Sequence, residues 1–247
     1  MVNLVIDIGN TFSKIALFDN RKLQEFATTI DVTEQTISAW FQKYEIHNAI
    51  VSSVRNSAVE LETYLSARCR YFRFDASVQA GIVNHYKTPL TLGLDRYAAV
   101  IGARAVMPRT NCLIIDAGTC VTYDFIDSES NYYGGSISPG IGMRLKAMHT
   151  FTGRLPLVEF NDAFDSEYGQ DTKSALVSGV SNGIIFEVTG FINSFYNKHS
   201  NLKVLLCGGD MNFFDRRLKN SIFAGIVKTE PYLVLIGLNE VIHQHNE

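Results

Sequence analysis

No basic run or stripe interrupts this sequence. Its 22 lysines and arginines are outnumbered by 25 aspartates and glutamates, for a net charge of −3 and an isoelectric point near 6.1. A protein whose main partner is nucleic acid carries a positive footprint, so no nucleic-acid partner is expected. The isolated Asp215-Arg216-Arg217 reads as a solvated helix face. The four cysteines, Cys69, Cys112, Cys120 and Cys207, form no CxxC pair, which sets zinc aside. Widely spaced and mostly beside apolar runs, they read as reduced thiols packing as small hydrophobes. The first residues lack a basic segment followed by a long apolar core, so no signal peptide is expected. The longest apolar runs fall short of a bilayer, so no membrane partner is expected either. Together these absences describe a soluble, cytoplasmic protein. The P-loop pattern GxxxxGK(S/T) is also missing, so any phosphate site must be built another way.

What is present is an ordinary globular composition, 46% hydrophobic and 19% charged over 247 residues, enough for two modest domains. Residues 4–8 read as a buried strand, 13–18 as its hairpin partner and 22–30 as a third strand. Thr33 suits the N-cap of a helix that places Ile37, Trp40, Phe41 and Tyr44 on one face. A strand at 48–54 and a helix at 57–68 follow, giving the order β-β-β-α-β-α. The second half begins again, with strands at 112–118 and 120–127, a third strand and glycine-rich turn over 132–142 and a helix at 143–151. A long helix at 172–199 comes next, then a strand at 202–209 that ends in glycines and a closing helix at 232–244. Gly179, Gly183 and Gly190 each cost the long helix about 1 kcal/mol in propensity, which suggests close helix packing there.

The two halves share a frame: VIDIGNT, with Asp7, and IIDAGTC, with Asp116. Such a recurrence points to two similar α/β domains, 1–110 and 111–247, parted where MPRTN breaks a helical pattern. In the first loop Gly9 permits a tight turn and close approach to a ligand. Asn10, Thr11 and Ser13 bring side-chain donors, the turn exposes backbone N–H groups as an anion nest, and Lys14 adds a positive charge. Asp7, at a strand end, suits a hydrated magnesium ion. Asp116, Gly118 and Thr119 suggest a second nest facing the first across an interdomain cleft. CGGD at 207–210 adds a glycine-rich turn fit for a nucleotide base or ribose. Singly, each is equally a capped turn; jointly they indicate phosphate chemistry, and the fold does not choose between a kinase and a phosphatase.

Five motifs narrow that choice: DIGNTFSK (7–14), YKTPLTLGLDR (86–96), DAGT (116–119), GGSISPG (134–140) and DTKSALVSG (171–179). In these and in their order the chain resembles type III pantothenate kinase, within the superfamily of acetate and sugar kinases, heat-shock chaperones and actin. The resemblance implies an α/β fold of two duplicated ribonuclease-H-like, actin-like ATPase domains with an interdomain cleft. The implied reaction is ATP-dependent phosphorylation of pantothenate to 4′-phosphopantothenate, the first step of coenzyme A biosynthesis. By the same resemblance Asp7, Ile8, Gly9, Asn10, Thr11, Phe12, Ser13 and Lys14, with Thr119, bind the ATP phosphates, and Asp7 lies near magnesium through water. Asp116 holds a monovalent cation, potassium or ammonium. Tyr86, Gly93, Leu94, Asp95, Arg96 and Thr172 form the pantothenate site, with Asp95 as catalytic base. A homodimer is implied, and the helix at 172–199 is its candidate interface.

The chemistry of the residues agrees with those roles. A carboxylate at Asp95 can accept the proton of an attacking hydroxyl, and Arg96 can recognise an anionic or polar substrate group. Phosphoryl transfer asks the protein mainly for positioning and charge stabilisation. Cys120 reads as a packing residue, since no base accompanies it; His85 and His149 read as structural or surface residues. Two competing readings are a phosphatase or polyphosphate hydrolase on the same scaffold, and a non-enzymatic accessory to transcription. The GLDR segment and the three strand-end carboxylates argue for catalysis.

Overall fold

The computed structural model describes residues 1–9, 11–53, 59–78 and 80–246. Contacts divide the chain into two compact units. The first is Met1–Arg109 with Ser128–Tyr133 and Tyr232–Glu247; the second is Thr110–Asp127 with Gly134–Pro231. In chain order the elements are β1 (Val2–Ile8), β2 (Ser13–Asp19), β3 (Lys22–Thr29), α1 (Glu34–Lys43), β4 (Asn48–Ser53), α2 (Val59–Ser66), β5 (Arg70–Arg73), β6 (Val83–Asn84) and α3 (Leu94–Val106). Then come β7 (Cys112–Ala117), β8 (Cys120–Ile126), β9 (Asn131–Pro139), α4 (Ile141–Thr150), α5 (Thr172–Tyr196), β10 (Lys203–Cys207), α6 (Met211–Leu218), β11 (Val227–Thr229) and α7 (Leu233–Asn246).

In the first unit the strands lie in the order β3-β2-β1-β4-β5, with β2 antiparallel and β4 parallel to β1. Alternation sorts the side chains. Leu4, Ile6 and Ile8 of β1 and Ile15 and Leu17 of β2 form one core with Ile37 and Trp40 of α1 and Leu61 and Leu65 of α2. Burying each such side chain stabilises the fold by about 1.5–3 kcal/mol. Thr33 caps α1 as expected, its Oγ1 accepting from Thr36 N at 3.2 Å. The other face of β1 carries Asn3, Val5 and Asp7, and α7 packs on β1 and β4. The buried amides there satisfy one another: Asn3 Nδ2 donates to Asn239 Oδ1 and Asn48 Nδ2 to Asn3 Oδ1, each at 2.8 Å;. Residues 232–246, expected with the second domain, thus pack with the first. β6 pairs with the start of β9, at Asn131 and Tyr132.

The second unit repeats the plan in the order β9-β8-β7-β10-β11, with β8 antiparallel and β10 parallel to β7. Leu113, Ile115, Val121 and Tyr123 pack with Val180, Ile184, Val188 and Ile192 of α5. Among the described residues α5 is long and apolar enough to cross a membrane, longer than the apolar runs had suggested. Its buried stripe and its ion-paired Glu187 make it a core helix of this unit. A Cβ at Gly179, Gly183 or Gly190 would meet nothing within 4 Å, so these glycines serve no close packing among the described residues, contrary to expectation. β5, β6 and β11 were not anticipated, and of α6 only the face at Asp215-Arg216-Arg217 was. Arg216 and Arg217 of α6 pair with Asp162 and Asp165 while Phe213, Phe214 and Leu218 are buried. All four cysteines are free.

Candidate active site

In the first unit β1 runs into the turn at Gly9 and returns as β2, with Asp7 opposite Lys14 and Ile8 opposite Ser13. Opposite residues of an antiparallel pair share a face, so the Asp7 carboxylate and the Lys14 ammonium leave the same side of the sheet. Asp7 is buried, Lys14 half-buried, and Thr11 and Phe12 exposed. A Cβ at Gly9 would sit 2.9 Å from the Phe12 carbonyl oxygen, so the turn is too tight for a side chain. Ser13 Oγ is buried with no hydrogen-bond partner among the described residues. Asn10, expected to bind phosphate, lies outside the described residues.

The same unit holds the GLDR segment at the start of α3, where an acid in the first turn suits the helix dipole. Asp95 is exposed, and its Oδ1 accepts from Arg96 N at 2.8 Å. A Cβ at Gly93 would lie 2.7 Å from Asp95 Oδ1, so glycine there leaves room for the carboxylate. Arg96 is only 6% exposed, and its guanidinium lies 5.8 Å from the centre of the Tyr86 ring. Asn84 Oδ1 accepts from Tyr86 N at 3.0 Å and ties that residue to β6. Tyr86, Gly93, Asp95 and Arg96, far apart in two motif ends, are therefore gathered; Leu94, half-buried, opens the helix between them.

In the second unit Asp116, Gly118 and Thr119 occupy the turn from β7 to β8. Gly140 seals this turn: its N–H donates to the Thr119 carbonyl at 3.1 Å, and a Cβ would fall 2.4 Å from that same oxygen. Gly208, at φ +91°, touches the turn from β10; a Cβ there would lie 2.5 Å from both the Ala117 carbonyl and Asp116 Oδ1. Asp210 N donates to Ala117 O at 2.8 Å, and burial pushes the Asp210 carboxyl above its ordinary value. CGGD and DAGT thus meet at the ends of parallel strands. Thr172, exposed, opens α5 behind the Asp171 cap, which accepts from Lys173 N and Ser174 N at 2.9 and 3.1 Å. The loop before it lines a cavity of about 480 Å³ with Phe164, Glu167, Tyr168 and Gln170.

A brace behind Gly140 escaped sequence reasoning. Arg144 donates to Pro139 O and Ser138 Oγ, each at 2.8 Å, and to Glu187 Oε2; Tyr123 Oη donates to Glu187 Oε1 at 2.8 Å. Burial pushes Glu187 up, but the Arg144 guanidinium and the Ser138 and Tyr123 hydroxyls outweigh it and hold the carboxyl below its ordinary 4.5. Burial first, then the bond to Glu187, pushes the Tyr123 hydroxyl upward. A carboxyl lowered by folding adds stability above its unfolded value and loses it as pH falls through the folded one. Glu187→Gln should therefore destabilise the protein at pH 7, and its deficit against wild type should shrink toward pH 4 and below. Urea unfolding at both pH values measures this; a deficit independent of pH would show that the charge is not what matters.

Residues 3–194 match the family model of type III pantothenate kinase. A type III pantothenate kinase from Bacteroides fragilis is 42% identical over 250 residues, covering 99% of each chain. The chain belongs to the type III pantothenate kinase family. It is thereby a phosphotransferase, acting in the ATP-dependent phosphorylation of pantothenate in coenzyme A biosynthesis. Among solved structures this kinase is similar to the activator of the 2-hydroxyisocaproyl-CoA dehydratase from Clostridium difficile, solved with ADPNP. The TM-score is 0.56 at 11% identity, covering 100% of this chain and 97% of that one. Component A of the (R)-2-hydroxyglutaryl-CoA dehydratase from Acidaminococcus fermentans gives 0.51 at 13% identity, covering 98% and 96%. At such identities the likeness is one of fold: a mixed α/β architecture of two duplicated ribonuclease-H-like, actin-like ATPase domains.

Proposed function

We propose that in this kinase Asp95 is the general base for phosphoryl transfer to the primary hydroxyl of pantothenate. The hydroxyl oxygen forms its bond to the γ-phosphorus of ATP as the bond from that phosphorus to the β,γ-bridging oxygen breaks. The hydroxyl proton passes to Asp95, and ADP leaves with the bridging oxygen. Tyr86, Gly93, Leu94, Arg96 and Thr172 hold pantothenate, with the Arg96 guanidinium suited to its carboxylate. The observation that carries this reading is the exposed Asp95 carboxylate at the start of α3, next to a buried Arg96 that lies over Tyr86. A base must reach substrate from solvent, whereas a buried arginine beside it is already oriented.

Asp7, Ile8, Gly9, Asn10, Thr11, Phe12, Ser13 and Lys14 serve the ATP phosphates, as does Thr119 of the second unit. The donor set fits that cargo: a glycine-tight turn, the Ser13 hydroxyl, unpartnered among the described residues, and the Lys14 ammonium lie within one hairpin. Asp7, on the Lys14 face, is the candidate to hold magnesium through water. Magnesium would neutralise phosphate charge during transfer. Asp116, pressed against the Gly208 backbone, is the candidate ligand of potassium or ammonium.

The enzyme works as a homodimer in the cytoplasm, on small molecules and without nucleic acid or membrane. Gly179, Gly183, Phe186 and Gly190 form one stripe along α5; a Cβ at any of these glycines would meet nothing within 4 Å among the described residues, and Phe186 is 73% exposed. Such a stripe suits a second copy of the chain, and sedimentation of the purified enzyme tests it. With ATP, pantothenate, magnesium and potassium, ADP and 4′-phosphopantothenate should form in equal amounts. Removing potassium and ammonium should lower the rate, and either ion should restore it. ADP release that does not depend on pantothenate would overturn the reading in favour of a hydrolase.

A further inference from the structure

His85 and Tyr86 are held by aromatic neighbours from β9. The short parallel ladder sets Val83 beside Asn131 and Asn84 beside Tyr132, and His85 N donates to Tyr132 O at 2.8 Å. Beyond it the side chains continue the pairing. His85 stacks on Tyr133 with centroids 4.5 Å apart and planes 9° from parallel, and its Nε2 lies 3.0 Å from Asn131 Oδ1. Tyr86 lies 6.4 Å from Tyr132 at 5°. Tyr132, with no exposed surface, passes the column on to Tyr97 at 6.3 Å and thence to Phe74 at 6.0 Å. Tyr97 is itself fixed, its Oη donating to Val78 O at 2.6 Å. One column of rings thus runs from the interior of the first unit to Tyr86, where the Arg96 guanidinium lies over its end.

We propose that Tyr132 and Tyr133 are positioning residues for pantothenate binding: Tyr132 fixes Tyr86, Tyr133 fixes the adjoining His85, and through Tyr86 they set the Arg96 guanidinium. The proposal rests on the assignment of Tyr86 and Arg96 to the pantothenate site. Residues 87–91 between them are exposed, and their regular structure amounts to one 3₁₀ turn, Pro89–Thr91. Such a loop has little packing of its own, so the rings behind Tyr86 supply its preorganisation. Without them the loop must be ordered when substrate binds, which weakens binding without touching the transfer step. The effect should therefore fall on the pantothenate KM and leave kcat and the ATP KM in place.

Four variants of the full-length enzyme decide this: Y132L, Y132F, Y133A and Y86L. Losing a ring pair should raise the pantothenate KM about three- to tenfold, which is expected for Y132L and, toward the lower end, for Y133A. Y132F keeps the ring and should raise the pantothenate KM less than Y132L does. A merely structural role would lower the melting temperature and change all kinetic constants together. Tyr133 is 64% exposed, so Y133A folds even if Y132L does not. A pantothenate KM unchanged in Y133A, or as impaired in Y132F as in Y132L, overturns the proposal. Y86L separates the two failures. If it too leaves the pantothenate KM unchanged, Tyr86 is not in the substrate site and the assignment itself falls. If Y86L raises that KM while Y133A does not, the positioning role alone is wrong.

Discussion

Asp95→Asn is expected to lower kcat by about 10²–10⁴-fold, the usual contribution of a positioned base, with the melting temperature unchanged. The structural cost is small because the side chain is exposed and the amide is isosteric. Its oxygen can still accept from Arg96 N, the contact that now holds Asp95 Oδ1. What the amide cannot do is take the proton of the pantothenate hydroxyl. Both KM values should stay near wild type, since the phosphate loops and the Tyr86–Arg96 pair are untouched. An ADP-release assay with a thermal melt beside it gives both quantities. Near-normal kcat would remove Asp95 from the base role. A loss of only a few fold would leave it orienting the hydroxyl, consistent with the loose transition state of phosphoryl transfer.

The second large effect is on stability. Gly237→Ala in α7 should destabilise the protein by about 3 kcal/mol or more, lowering the melting temperature by about 6–12 °C. Glycine is a poor helix residue, and alanine in its place would ordinarily gain about 1 kcal/mol. Here a Cβ would lie 1.9 Å from the Ala98 carbonyl oxygen of α3, so steric conflict between backbones outweighs propensity. The contact is reciprocal: a Cβ on Gly102 of α3 would lie 2.2 Å from the Leu233 carbonyl oxygen. Gly102→Ala should therefore behave alike. Calorimetry of either variant checks the expectation, and a melting temperature within 2 °C, the shift of roughly 1 kcal/mol, would show that the helices separate at little cost. Because α3 carries Asp95 at its start, activity should fall at temperatures where the packing loosens.

Much of this fold is legible from local pattern. The hairpins β1–β2 and β7–β8, the Thr33 cap and the long α5 each declare themselves within a few neighbouring residues. The two aspartate turns are legible for the same reason, and their recurrence reveals the duplicated topology. β5 and β11, of four and three residues, carry no pattern of their own and exist because β4 and β10 offer an edge. α6 is only eight residues long, too short for periodicity to set its bounds around the charged face at Asp215-Arg216-Arg217. The α5 glycines misled because propensity says nothing about which face of a helix meets the rest of the chain.

The candidate site divides along the same line. Asp7–Lys14, Gly93–Arg96 and Asp116–Thr119 are contiguous motifs, and their chemistry can be read as written. The groups that support them come from elsewhere: Gly140 and Gly208 against the second turn, Arg144 and Glu187 behind Gly140, Tyr132 and Tyr133 against the residues before GLDR. Each is defined by a contact distant in sequence. YYGG reads simply as strand until β6 is found beside it.

The return of α7 to the first unit has a consequence for how the polypeptide is made. Its strands are translated early, yet the face of β1 bearing Asn3 and Val5, and the glycine seam of α3, pack against α7, which is made last. At common translation speeds the intervening second unit delays that cover by on the order of ten seconds. Through that interval the nascent chain presents a half-finished sheet, open to chaperones and proteases. The second unit, contiguous but for six residues of β9 and the stretch before it, can mature first. The half carrying Asp95 is then the last to close, so ribosome-bound chains that can already fold the turn at Asp116 would not yet possess a settled helix under Asp95.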